Sequence, residues 1–217
     1  MKVFLMEKLI RRMRECGVIP VIKVENPLDS LPLAAALEKG GLCAAEITFR
    51  TSAAEEAIKL VSERYPGFLL MAGTVLTTDQ ADRAMAAGAQ AIVSPGLNPA
   101  VVSHCIANGY PVIPGVMTPG EIEQALSLGL EYLKFFPAEA AGGTKMLKAL
   151  SAPYPNVKFM PTGGVNAANI ASYLALKCVF ACGGSWMADP ALTADGRFGE
   201  IAKLTAEAVG IVKEARK

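Results

Sequence analysis

A chain of 217 residues that is 52% hydrophobic and carries a net charge of +1 can build a large core, which argues against intrinsic disorder; no basic stripe suits it to nucleic acid. Its apolar runs have strand length, short of the roughly 20 residues a membrane-spanning helix needs. Five scattered cysteines (Cys16, Cys43, Cys105, Cys178 and Cys182) read as free thiols in a cytoplasmic protein, and no metal-ligand spacing appears among them.

The opening stretch, MKVFLMEKLIRRMREC, is interrupted by Lys2, Glu7, Lys8 and Arg11 and lacks a small-residue cleavage site. That argues against a secretory signal and predicts an amphipathic helix with Phe4, Leu5, Leu9 and Met13 on one face. Eight apolar, β-rich runs then follow at intervals of roughly 20 to 27 residues. They open near Val18 (VIPVIKV), Leu42 (LCAAEITF), Phe68 (FLLMAG), Ala89 (AQAIVS), Tyr110 (YPVIPG), Leu130 (LEYLKFF), Val157 (VKFMPTGG) and Cys178 (CVFACGGS). Helix-forming stretches such as SAAEEAIKLVSERY and TPGEIEQALSLG separate them, each long enough for one crossover. Thr77-Thr78-Asp79 and Thr118-Pro119 with Glu121 carry helix-start chemistry, while Gly40-Gly41, Gly88, Gly109 and Gly129 fall where helices should stop. Phe198 to Lys217 reads as the last helix. Strict alternation predicts a parallel α/β sheet, and eight repeats without a linker favour a single (β/α)8 TIM barrel domain over 1–217, with an extra N-terminal helix. An open doubly wound sheet would normally show GxGxxG after its first strand, where this chain has KVENPLDS.

Barrel chemistry gathers at the C-terminal ends of strands, and alternation decides which side chains meet there. Glu46, Thr48 and Arg50 share one face of the second strand. Lys134 shares a face with Tyr132 and Phe136 in the sixth, inside a run that otherwise reads as buried. A desolvated lysine tends to lose its proton, and a neutral amine can attack a ketone to give an iminium that serves as an electron sink. A facing carboxylate can carry the proton. Glu46 and Lys134 are also compatible with a structural ion pair, Arg50 with an exposed helix start, and Thr74 and Thr162 with helix caps. The pairs Gly163-Gly164 and Gly183-Gly184, closing the last two strands, suit turns or a phosphate held on backbone N–H groups, with Ser185 adding a hydroxyl. Lys23 rivals Lys134 as the reactive amine. The single histidine, His104, sits in a predicted helix, so no histidine-based triad is available; Trp186 reads as core, and Lys145 and Lys148 as a solvated face. The residues alone indicate a Schiff-base aldolase or lyase acting on a phosphorylated keto acid.

In this order, GVIPVIKV, EITFRT, AGTV, SPG, PGVMTP, KFFPAE, PTGGV and GGSW resemble the bacterial 2-keto-3-deoxy-6-phosphogluconate (KDPG) aldolases, many of which also act on 4-hydroxy-2-oxoglutarate (KHG). The resemblance runs from about Gly17 to Trp186 and on into the last helix. It implies a class I aldolase on a (β/α)8 barrel, without metal or cofactor, assembled as a homotrimer, with pyruvate and a phosphorylated keto acid as ligands and neither nucleic acid nor membrane as partner. It places the Schiff-base amine on Lys134 and the acid–base carboxylate on Glu46. It puts the substrate carboxylate on Arg50 with Thr74 beside the pyruvyl group, Thr162 at the keto-derived oxygen, and Pro95 and Phe136 along the pocket. The phosphate falls to Gly163, Gly164, Gly184 and Ser185. A preference for the galactonate epimer is the main alternative, and the role of Lys23 stays open.

Overall fold

The computed structural model describes residues 2–217, with side chains from residue 5 onward. Strands arise at all eight expected places: β1 (Val18–Ile22), β2 (Ala44–Thr48), β3 (Leu69–Gly73), β4 (Ala91–Val93), β5 (Val112–Ile113) with β6 (Gly115–Val116), β7 (Tyr132–Phe135), β8 (Lys158–Pro161) and β9 (Cys182–Gly184). Every pairing is parallel. β2 and β3 are buried at every position, as strands covered on both faces must be.

The strands form a six-stranded sheet, β5-β4-β3-β2-β1-β9, and a three-stranded sheet, β6-β7-β8, where a single eight-stranded ring was expected. One division falls inside the fifth run at Pro114, which has no N–H to donate to a ladder. Its carbonyl still accepts from the Lys134 N–H at 2.9 Å. The other falls between β8 and β9, where the chain is joined by the isolated bridges Phe159↔Val179 and Thr162↔Gly183. The sheets curl around a shared interior, because Lys134 on β7 of the smaller sheet touches Glu46 on β2 of the larger.

Helices fill the intervals: α1 (Lys2–Cys16), α2 (Ser30–Lys39), α3 (Ala54–Arg64), α4 (Thr78–Ala86), α5 (Pro99–Asn108), α6 (Pro119–Ser127), α7 (Gly143–Ser151), α8 (Ile170–Leu174), α9 (Pro190–Ala194) and α10 (Phe198–Ala215). Thr77 caps α4 by accepting from the Gln80 N–H, and Thr118 and Glu121 form a reciprocal capping box on α6. Gly109, at φ +75°, stops α5 in the left-handed conformation.

The extra helix α1 buries Leu9, Ile10 and Met13, whereas Leu5 stays 44% exposed; the Phe4 side chain lies outside the described residues. Arg12 ties α1 to the N-terminal ends of two strands by donating to Gly67 O (2.6 Å) and Gln90 Oε1 (2.9 Å). Arg216, at the end of α10, donates to Phe180 O and Arg14 O. Among the described residues no helix is long and apolar enough to cross a membrane, and all five cysteines are free thiols.

Candidate active site

The site grows from two adjacent facts of strand register. Glu46 pairs in β2 with Val21 and Met71, and Lys134 pairs in β7 with Gly115 and Met160, so both side chains enter the interior at neighbouring depths. They meet there. Lys134 Nζ donates to Glu46 Oε1 at 2.9 Å, with the residues 4% and 0% exposed. Lys134 Nζ also lies 5.5 Å from the centroid of the Phe136 ring. The second carboxylate oxygen, Glu46 Oε2, is buried with no hydrogen-bond partner. A buried carboxylate that leaves one oxygen unpaired is suited to receive a proton or a water.

The neighbours of this pair are cut to fit it. A Cβ at Gly73, the last residue of β3, would overlap Glu46 Oε1, and a Cβ at Gly115 would overlap the carbonyl of Pro95. Thr48, two residues along from Glu46, donates from Oγ1 to Ile22 O (2.8 Å) and accepts from Arg50 Nε (3.0 Å). Arg50 is exposed, just past the strand. Thr74 follows β3 at φ +57°, a region that β-branched residues rarely enter. It is no helix cap, since α4 is capped by Thr77. Thr162 is not a cap either: it is buried at the end of β8 and bridged to Gly183.

The expected phosphate end has a firm base and an open rim. The chain leaving β7 is zipped to the end of β8 through Ala138 N–H to Thr162 O (2.8 Å) and Glu139 N–H to Gly163 O (3.0 Å). Gly163 and Gly164 sit at φ +96° and +81°, and their N–H groups donate to no other described residue. A Cβ at Gly163 would lie 3.3 Å from the Phe136 ring, and one at Gly164 2.6 Å from Glu139 Cβ. Glu139 is in turn held by the Tyr173 hydroxyl; burial, then that hydrogen bond, push the Tyr173 phenol up, so it remains a donor. Gly184 is buried beneath the Trp186 ring, and Ser185 is exposed at the start of a 3-10 turn, Trp186–Ala188. The first regular helix after β8, α8, starts only at Ile170, so the glycine turn itself supplies the free donors.

Lys23 lies beyond the end of β1, half-buried, and pairs with the exposed Glu25 at 2.5 Å. It therefore lacks the enclosure of Lys134. His104 pairs with Asp82 on the surface at 2.8 Å, and Lys145 and Lys148 are exposed. Trp186 is half-buried rather than core, with its indole N–H unpaired. Sequence parity brought out Glu46 and Lys134 but passed over the supports around them: Gly73, the Thr48 hydroxyl as an Arg50 contact, and the Glu139–Tyr173 clamp. A glycine closing a strand beside an inward carboxylate was the one available signal, present in MAGT.

A family model described as KDPG and KHG aldolase matches residues 9–204. The chain belongs to this family. A 2-dehydro-3-deoxy-phosphogluconate aldolase of Haemophilus influenzae is 47% identical over 207 residues, covering 95% of this chain and 98% of that one. Among solved structures, KDPG aldolase from Legionella pneumophila, with pyruvate captured as a covalent carbinolamine intermediate, is 41% identical and superposes with a TM-score of 0.86 over 89% of this chain and 93% of that one. The KDPG aldolase of Zymomonas mobilis with 3-phosphoglycerate is 37% identical, with a TM-score of 0.87 over 94% and 96%.

Proposed function

We propose that this chain is a class I aldolase, a carbon–carbon lyase. It cleaves 2-keto-3-deoxy-6-phosphogluconate to pyruvate and glyceraldehyde 3-phosphate, and 4-hydroxy-2-oxoglutarate to pyruvate and glyoxylate. One observation carries the reading: a lysine amine and a carboxylate 2.9 Å apart in a buried interior, with one carboxylate oxygen unpaired. Family membership and the covalent pyruvate adduct of the Legionella relative support it.

The chemistry follows from those atoms. Glu46 takes a proton from Lys134, and the freed amine attacks C2 of the keto acid to form a carbinolamine. Glu46 gives that proton to the carbinolamine hydroxyl, which leaves as water, so that the iminium forms and the carboxylate is free again. Glu46, directly or through a water at Oε2, removes the C4 hydroxyl proton. The C3–C4 bond then breaks, its electron pair passes into the enamine, and glyceraldehyde 3-phosphate departs. Protonation at C3 and addition of water return the free amine and pyruvate.

Arg50 binds the substrate carboxylate, with Thr74, Thr162, Pro95 and Phe136 around the pyruvyl group. Gly163, Gly164, Gly184 and Ser185 receive the phosphate, a role supported by the unpaired N–H groups at 163 and 164. The two sheets are read as one closed (β/α)8 barrel forming a single domain. The bridges between β8 and β9, and the chain running through Pro114 from β5 to β6, support that closure. The enzyme is cytoplasmic and works as a homotrimer.

Reduction with borohydride in the presence of pyruvate tests the assignment. Mass spectrometry should find the reduced pyruvyl adduct on Lys134. An adduct on Lys23, or none on folded protein, rejects it. Turnover on KDPG, its galactonate epimer and 4-hydroxy-2-oxoglutarate then ranks the substrates.

A further inference from the structure

The buried hydroxyl of Thr48 stands between a strand carbonyl and an exposed arginine. Thr48 is 1% exposed. A hydroxyl has one proton, and here it goes to Ile22 O at 2.8 Å, the last carbonyl of β1. A lone pair is thereby left facing Arg50 Nε, whose N–H donates to it at 3.0 Å. Among the described residues Arg50 has no other anchor: its Nη1 and Nη2 groups make no hydrogen bond or ion pair with any of them. An exposed arginine otherwise samples many rotamers, and binding a ligand with it means freezing them.

We propose that Thr48 is a positioning residue for substrate binding. Its hydroxyl, oriented by the β1 carbonyl, holds Arg50 by Nε and presents Nη1 and Nη2 end-on to the carboxylate of the keto acid. Nε is occupied, so the side-on fork made by Nε and one Nη is closed, and the end-on fork remains. The inference rests on the assignment of Arg50 to the substrate carboxylate.

Four variants test it: Thr48→Val, which keeps the shape and loses the hydroxyl; Thr48→Ser, which keeps the hydroxyl and loses the methyl; Arg50→Ala; and the double variant Thr48→Val/Arg50→Ala. Thr48→Val should raise KM about five- to tenfold, the size of about one immobilised side chain, with kcat changed less than about twofold. Thr48→Ser should stay within about twofold of the parent in both constants, and Thr48→Val should add nothing in the Arg50→Ala background. A purely structural role would reverse the Val and Ser results, since the buried methyl would then matter more than the hydroxyl. An unchanged KM in Thr48→Val, or equal damage in Val and Ser, overturns the proposal. An unchanged KM in Arg50→Ala instead rejects the carboxylate assignment beneath it. Should Thr48→Val fail to fold, judged by its melting transition, Thr48→Ala serves as the hydroxyl-free arm.

Discussion

The two ends of the strands treat polar groups in opposite ways. At the N-terminal ends, long cationic side chains are used up on the scaffold: Arg12 donates to Gly67 O and Gln90 Oε1, and Arg216 to Phe180 O and Arg14 O. A cavity of about 510 Å³ at that end is lined by Met6, Tyr110, Pro111 and Tyr132 among others, and contains neither Lys134 nor Glu46. At the C-terminal ends, donors and acceptors are left open: Glu46 Oε2, the Nη groups of Arg50, and the N–H groups of Gly163 and Gly164. Of these, Glu46 Oε2 is buried, and a buried polar group is normally satisfied, so it is the atom left for a water or ligand to complete; the Arg50 and Gly164 groups are open to solvent. The same fold thus separates stability from chemistry along the strand axis.

The strongest way to break this contrast is at its centre. Lys134→Met should lower kcat by about 10⁴-fold or more, as removal of a nucleophile does. It should also destabilise the protein by about 3 kcal/mol, because it strands a buried carboxylate. Adding Glu46→Leu should recover most of that stability and none of the activity. Urea unfolding alongside steady-state assays reads both. If the double variant were as unstable as the single one, the pair would be holding the fold rather than serving the chemistry. Next in size is Gly73→Ala. Its methyl group would displace Glu46 Oε1 by a fraction of a side chain, enough to lower kcat by about a hundredfold while far-UV circular dichroism stays unchanged.

A third variant sharpens the contrast within the C-terminal end itself. Gly164→Ala meets two obstacles, a left-handed φ of +81° and Glu139 Cβ at 2.6 Å from the new methyl. Turning the peptide away should cost the phosphate a charge-assisted hydrogen bond and raise KM for KDPG about tenfold. KM for 4-hydroxy-2-oxoglutarate, which has no phosphate, should hold. An equal rise for both substrates would mean that the turn supports the pocket generally and does not single out the phosphate.

What could be read from the sequence follows the range over which each signal acts. Periodicity and helix start and stop residues are local, and they placed all eight strand positions and the helix starts near Thr77 and Thr118. Alternation inside one strand put Glu46 and Lys134 inward, and only the folded chain put them 2.9 Å apart across 88 residues. The break at Pro114 depended on which N–H the neighbouring strand required, a matter of register that one strand does not carry. The left-handed backbone at Thr74 was hidden, since nothing about a threonine announces it. The clamp from Tyr173 in α8 to Glu139 in the turn after β7 joins residues 34 apart, beyond any helical or strand spacing.

The mildest prediction concerns the other end. Arg12→Ala removes two hydrogen bonds that fasten α1 beneath β3 and β4, and should lower stability by about 1–2 kcal/mol. Gly67 O can turn to water, and Gln90 keeps its own donation to Phe68 O at 2.7 Å, which limits the loss. Activity should not follow. Arg12 meets β3 just ahead of Leu69, and Gly73, which borders Glu46, closes the strand about 13 Å further along at about 3.3 Å per residue. Separations of that size leave substitutions nearly additive. A fall in the melting temperature with kcat/KM intact would confirm that the two ends are independent. A loss of kcat approaching that of Gly73→Ala would show that α1 sets the depth at which Glu46 meets Lys134, and the division between a stabilising end and a reacting end would fail.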